Sequence, residues 1–201
     1  MNSIDRLTEI FSHFPGIGPR QAKRFVYFLL SRNNHFSDDL IRAVEGMKKE
    51  ITQCNECMRF FPKTNYQTTT CSICSDTSRD ASMLMIVPRD IDLEAVERSG
   101  SYRGYYFVLG GSLPILEKEP EKRIRINELK QVIEKKKTNI KEIILAMNAN
   151  SEGENTSSFI KDMYQGEGLV FSILGRGLST GAELEYADPE TLTNAFIHRT
   201  K

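Results

Sequence analysis

Four cysteines are the residues whose type and spacing most directly specify chemistry in this chain. They form two knuckles, Cys54-Asn55-Glu56-Cys57 and Cys71-Ser72-Ile73-Cys74, and no cysteine is left over. Each knuckle offers two thiolates from one tight turn, and the polar spacer from Met58 to Thr70 lets the turns face each other around a tetrahedral ion. The competing readings are two disulfides or four unrelated buried thiols, but nothing else in the chain points to an oxidising compartment. The spacing therefore predicts one zinc ion per chain, held by Cys54, Cys57, Cys71 and Cys74. Four sulfurs leave no open position for a reactive water, so the predicted role is structural, contributing folding energy.

A second group could bind phosphate. Pro15-Gly16-Ile17-Gly18 precedes Arg20, Lys23 and Arg24. Glycines in a tight turn leave backbone N–H groups bare, and the start of the following helix adds its own donors, which together suit a phosphate oxygen. The basic residues beyond can reach adjacent phosphates. This is a helix-hairpin-helix arrangement, which grips nucleic-acid backbone without reading bases. Over the first 36 residues Arg6, Arg20, Lys23, Arg24 and Arg32 face only Asp5 and Glu9, so the region is locally basic. The plainer alternative is a tight connector between packed helices.

A third group is acidic. Asp90 and Asp92 follow one predicted strand, and Asn148-Ala149-Asn150-Ser151-Glu152-Gly153-Glu154 follows another. Convergence of Glu152, Glu154 and Asp90 would suit a magnesium-dependent phosphoryl-transfer site. Two neutral amides arrive before either glutamate, however, and favour a solvated rim or a surface for a basic partner. Gly175-Arg176-Gly177-Leu178-Ser179-Thr180-Gly181 lacks the Gly-Lys-Ser/Thr ending of a P-loop, leaving Arg176 as a residue that could face DNA. Lys135, Lys136 and Lys137 read as a solvated helix end. His13, His35 and His198 stand in unrelated contexts, and no nucleophile–base grouping is visible.

The elements that must position these groups follow from periodicity. Ser3 caps a first helix with Ile4, Leu7, Ile10, Phe11 and Phe14 on one stripe. Pro19 opens a second carrying Ala22, Phe25, Val26 and Leu29, and Ser37 caps a third. From Met83 the pattern changes to short apolar strands at 83–87, 105–109, 143–147 and 169–173. They alternate with helical segments around Leu93 and Val96, over 127–137 and over 157–164, which predicts a mostly parallel α/β sheet. A short helix over Pro189–His198 ends the chain.

The 201 residues are 39% hydrophobic and 27% charged with zero formal net charge. This is an ordinary globular composition. No apolar run follows a basic start and none approaches the ~20 residues of a membrane span, so the expected location is the cytoplasm with no membrane contact.

These parts in this order resemble the RecR family of bacterial recombination mediators. The resemblance rests on Phe14-Pro15-Gly16-Ile17-Gly18-Pro19, the paired knuckles with Ser75-Asp76, and Tyr102-Arg103-Gly104 through Gly110-Gly111. It also rests on Glu152-Gly153-Glu154-Asn155-Thr156, Leu174-Gly175-Arg176-Gly177-Leu178 and Gly181-Ala182-Glu183 through Asp188. It implies a helix-hairpin-helix domain at 1–53, a four-Cys zinc finger at 54–76, a Toprim-like α/β domain at 80–174, and a C-terminal loop and helix at 175–201 making subunit contacts. By this resemblance the chain is a non-catalytic DNA-binding clamp of recombinational repair. It assembles into a ring, usually a tetramer, and works with RecO- or RecF-type partners to load recombinase at single-strand gaps. Gly16, Gly18, Arg20, Lys23 and Arg24 would face DNA, Glu152 and Glu154 would dock RecO, and the N-terminal helices would join the terminal segment in subunit contacts. The alternative is a magnesium-dependent Toprim nuclease or primase-like enzyme. Asn148, where catalytic Toprim enzymes carry aspartate, supports the non-enzymatic reading. Two departures are Pro88, where family members usually place glutamate, and a longer loop between the knuckles.

Overall fold

The structure, a computed structural model, describes residues 1–63, 65, 67–175, 177, 178, 180, 181, 183–197 and 199. The chain forms two compact units, one of residues 1–52 with 62–64 and the other of 53–61 with 65–201.

The first unit is helical: α1 (Ser3–Ser12), α2 (Pro19–Leu30) and α3 (Asn34–Glu50). Capping chemistry sets the starts. The Asn2 side chain, rather than Ser3, accepts the Asp5 N–H at 2.9 Å and opens α1. Asn33 accepts the Phe36 N–H at 3.1 Å and opens α3, upstream of the Ser37 cap expected from sequence. An asparagine one to four residues earlier supplies the same side-chain acceptor, and the first available cap starts the helix. Among the described residues of this unit only Ala22 and Val26 are fully buried. Phe11 packs edge-on against Phe25 and tilted against Phe14, while Phe28 meets Phe36 edge-on. The apolar stripes of the three helices leave a groove of about 510 Å³ lined by Ile4, Leu7, Phe11, Leu40, Ile41 and Val44 among others.

β1 (Ile51–Gln53) and β2 (Phe60–Pro62) pair as a short ribbon. In the second unit the elements run α4 (Ser72–Ser75), β3 (Asp80–Val87), α5 (Asp90–Ser99), β4 (Gly104–Val108), α6 (Pro120–Arg123) and α7 (Ile126–Lys136). They continue as β5 (Glu142–Leu145), α8 (Ser151–Met163), β6 (Val170–Ile173), a 3-10 turn at Leu184–Tyr186 and α9 (Pro189–Ile197). The strands form one sheet in the order β4-β3-β5-β6, parallel throughout. This is the α/β architecture the alternation predicts.

Pleating divides the core in two. Leu84, Ile86, Phe107, Ile143 and Leu145 pack against Leu129, Val132 and Ile133 of α7 and Ile160 of α8. Met85, Val87, Tyr106 and Val108 point to the other side, against Leu93 of α5, Phe61, Ile73 and three of the four cysteines. Alternate residues of β3 and β4 therefore serve opposite layers, and both are apolar because both faces are covered. The cysteine module has no core of its own; it completes one layer of the sheet.

The largest difference from the sequence expectation is α8. Its helix starts at Ser151, not near Ser157, because the Asn150 side chain accepts the Gly153 N–H at 2.9 Å. The stretch read as a strand-end loop is mostly the first turn of a helix. No helix among the described residues is long and apolar enough to cross a membrane.

Candidate metal centre and nucleic-acid interface

The first knuckle is turned by Met58, which adopts a left-handed backbone (φ 61°) immediately after Cys57. A non-glycine residue there costs about 1–2 kcal/mol. Its polar groups are all engaged: the N–H donates to the Cys54 carbonyl (3.0 Å), and the carbonyl accepts from Gln53 Nε2 (2.9 Å) and Arg125 Nη1 (3.2 Å). The second knuckle is shaped by α4, with the Ser75 N–H bonded back to the Cys71 carbonyl.

These turns bring four thiols together. The Sγ atoms of Cys54, Cys57, Cys71 and Cys74 all lie within 4.8 Å of one another, and no other such group of histidines, cysteines or acids forms among the described residues. Cys57 Sγ and Cys71 Sγ are 3.6 Å apart, and the Cys71 N–H donates to Cys54 Sγ at 3.4 Å. A tetrahedron with metal–sulfur bonds of ~2.3 Å has edges of ~3.8 Å, so the donor set fits such an ion. All four are free thiols, three of them buried. Hydrogen bonding from the Cys57 thiol pulls Cys54 well below the ordinary range, and the same contact pushes Cys57 up.

The knuckle is docked on the sheet. The Val108 N–H at the edge of β4 donates to the Cys57 carbonyl (2.8 Å), and Arg125 Nη1 also bonds the Val108 carbonyl (2.9 Å). Glu56, inside the first knuckle, receives Lys135 at 2.5 Å and Lys136 at 2.9 Å, and the Lys135 bond holds its carboxyl below the usual range. Lys137 pairs with Glu167 at 2.8 Å. The three lysines expected to decorate a solvated helix end are thus all paired, two of them with the cysteine module. Their sequence neighbourhood carries no trace of this, because the partner lies 79 residues away.

In the helical unit, Gly16 sits at φ +76° with open space around its Cβ position, the conformation the turn needs and other residues resist. Gly18 is the N-cap of α2 and offers no side-chain acceptor, and Pro19 occupies the first turn. Arg20, Lys23 and Arg24 are exposed. Spaced i, i+3 and i+4, they share one face of α2, while Ala22 and Val26 hold another face in the core. Arg24 bonds Gln21 at 3.3 Å, and none of the three cations meets a carboxylate among the described residues. The five predicted DNA-facing residues therefore lie on one turn and the exposed face that follows it. Arg176, the other cation singled out from sequence, lies outside the described residues.

The strand-end acids do not converge. Asp90 accepts the Phe60 N–H at 2.7 Å, which ties α5 to β2, and Asp92 pairs with Arg89 at 3.1 Å. Glu152 and Glu154 are exposed in the first turn of α8, where the helix dipole favours them. Two residues apart on a helix, they point to different faces. Glu154 lines a cavity of about 480 Å³ with Asn148, Ser157, Ser158 and Lys161, whereas Glu152 shares its face with Asn155 and Thr156. Gly153 between them is required by close approach: an added Cβ would lie 2.0 Å from the Asn148 carbonyl oxygen.

Comparison with known proteins bears on all of these features. Three family models match: "RecR, helix-hairpin-helix" over residues 4–47, "Toprim domain" over 82–175, and "RecR, C-terminal" over 177–200. The chain is 35% identical over 198 residues to Recombination protein RecR of Bifidobacterium adolescentis, covering 98% of this chain and 95% of that one. It is 35% identical to that of Staphylococcus saprophyticus, covering 98% and 96%. With that of Chloroflexus aurantiacus it shares 36% identity, covering 98% and 93%. The chain belongs to the RecR family. The match includes a Toprim domain, and among the described residues Asp90, Glu152 and Glu154 form no metal-holding group. The four cysteines lie between the first two matched regions, in the segment whose convergence the structure itself displays.

Sequence reasoning missed Glu56, Arg125 and the pair Asn155–Thr156. Glu56 alone left a trace, an acid placed inside a metal knuckle. Arg125 shows no motif, and Asn155–Thr156 lay inside a stretch that carries the family resemblance without a role of their own; both act on backbone groups far away in sequence.

Proposed function

We propose that this chain is a DNA-binding clamp of recombinational repair that carries one structural zinc ion, contacts phosphate through its hairpin, and docks a RecO- or RecF-type protein. Family membership supports the repair role and DNA binding. The observation that carries the contact assignment is the set of three exposed cations, Arg20, Lys23 and Arg24, on the helical face directly after the Gly16–Gly18 turn. Such contacts position a phosphate backbone without selecting sequence. Cys54, Cys57, Cys71 and Cys74 would hold the zinc, which supplies folding energy and no reactive group. Glu152 and Glu154 offer a negative surface at the start of α8 for a basic partner.

Exposed apolar surface on the helical unit supports self-association. Leu30, Ile41, Val44 and Met47 are exposed there, more apolar surface than a small helical unit leaves bare without a partner. A second copy covering this groove is the first step toward a ring, and exposed apolar residues at Leu184, Tyr186, Phe196 and Ile197 offer a second contact. A cytoplasmic location suits four thiols that form no disulfide.

The deciding experiment is a DNA-binding titration across salt with the zinc-loaded chain and the double variant Lys23→Ala/Arg24→Ala. Affinity should fall in the variant, and the slope of log affinity against log salt should shrink by ~0.9 for each phosphate that is no longer neutralised. Unchanged binding would reduce the hairpin to a connector. A parallel incubation with magnesium should leave the DNA uncut, and cleavage abolished by Glu152→Gln would favour the enzymatic alternative.

A further inference from the structure

The segment from Leu113 to Glu119 is an exposed loop that is unusually well held. Leu113 is buried, its N–H donates to Thr156 Oγ1 at 2.8 Å, and Asn155 Nδ2 donates to the carbonyls of Leu113 (3.1 Å) and Pro114 (3.2 Å). At the other end Glu117 accepts the N–H groups of Lys118 and Glu119 and pairs with Arg123 at 2.8 Å. Between these anchors the Glu117 N–H closes a turn onto the Pro114 carbonyl at 3.1 Å. That places Ile115 and Leu116 at the two corner positions. Corners normally carry glycine, proline, asparagine, aspartate or serine. Here they carry two large aliphatic side chains, 64% and 89% exposed.

The same helical turn that grips this loop bears Glu152. It stands three and four residues before Asn155 and Thr156, so the three share one face of α8. Glu152 makes no ion pair or side-chain hydrogen bond among the described residues, while Glu117 and Glu119 are neutralised locally by Arg123 and Lys122. An aliphatic tip held by the same helical turn that carries a carboxylate without an ion pair is a pre-organised anchor, since little freedom remains to be lost on binding.

We infer that Ile115 and Leu116 are the apolar anchor of a protein-docking surface whose charged member is Glu152, fitting a partner that presents an aliphatic-lined pocket beside a lysine or arginine. The inference rests on the reading of Glu152 as a docking residue and adds the contact that would dominate its energy.

The test measures binding of a purified RecO-type protein to the full zinc-loaded chain by calorimetry, with Leu116→Asp, Ile115→Ser/Leu116→Ser and Glu152→Lys variants. Thermal melts and light scattering run in parallel. Both loop variants should weaken binding at least tenfold while melting temperature and oligomeric state stay unchanged, since neither side chain is buried. Glu152→Lys should weaken it less and reverse its salt dependence, the remaining affinity rising with salt as the new repulsion is screened. Unchanged affinity in both loop variants, with loss in Glu152→Lys, overturns the loop assignment and spares the docking reading. No binding by the unsubstituted chain overturns both. A change of oligomeric state in the loop variants with partner affinity intact assigns the tip to a second copy of the chain and also overturns the inference.

Discussion

At the scale of single residues, the clearest constraint is Gly153. Its missing side chain lets α8 begin directly against the Asn148 carbonyl, and a methyl group there would stand 2.0 Å from that oxygen. Gly153→Ala should destabilise the α/β unit by roughly 2–3 kcal/mol, as overpacking against backbone does, and a denaturant melt would show it. A second residue effect is electrostatic. Arg79 meets Glu97 at 2.6 Å and the Gly104 carbonyl at 3.0 Å with both charged side chains largely covered. Burial raises the Glu97 carboxyl, and the Arg79 hydrogen bonds more than reverse it, leaving it below its ordinary value of 4.5. A lowered folded-state value means that the stabilisation is fully present above that ordinary value and is lost as pH falls through the lower one. Arg79→Met should remove about 2 kcal/mol at neutral pH and flatten the stability–pH curve in the acid range. An unaltered acid limb would show that the pair contributes nothing net.

At the scale of elements, the cysteine module belongs to the sheet it caps. The knuckle carbonyl of Cys57 pairs with the outer edge of β4, and Cys54, Cys57, Cys71, Phe61 and Ile73 complete the layer formed by Met85, Val87, Leu93, Tyr106 and Val108. The bond covers the end of an otherwise open edge strand. Metal loss should therefore unfold more than a finger. Chelation of the zinc-loaded chain, or Cys57→Ser, should cost ~3 kcal/mol or more and lower Tm by roughly 10 °C, with loss of near-ultraviolet signal from Tyr106. Zinc stoichiometry measured alongside should be one per chain. A chain that gives up its metal yet melts unchanged would show that the layer closes without it.

At the scale of the whole molecule, the helical unit leaves several large apolar side chains exposed, the surface on which the proposed self-association rests. Ala22 and Val26 are fully covered, while Leu30, Ile41 and Val44 stay exposed around the groove and Met47 is exposed farther along α3. Covering one such side chain contributes about 1.5–3 kcal/mol, so a few of them suffice for a stable association. Ile41→Asp should shift the chain to a smaller species in light scattering and weaken DNA binding by removing multivalency, with the hairpin cations intact. Retention of the larger species would move the association to other surfaces.

Local chemistry and periodicity were enough to read the parallel α/β sheet, the three N-terminal helices, the hairpin turn and the pairing of four cysteines, because each depends on residues close in sequence. Cys-x-x-Cys is one turn, Gly16 is one backbone conformation, and 83–87 is one buried strand wherever they are placed. The starts of α1, α3 and α8 slipped because neighbouring asparagines and serines are near-equivalent caps. For α8 the slip mattered, since a helical first turn sends Glu152 and Glu154 to different faces. What only tertiary structure decided is which distant groups share a surface: Glu56 with Lys135 and Lys136, Arg125 with the Met58 carbonyl, and Asn155 and Thr156 with the Leu113–Pro114 backbone. Those contacts join charged or polar side chains to partners dozens of residues away, and burial in the assembled layers, rather than any local pattern, selects them.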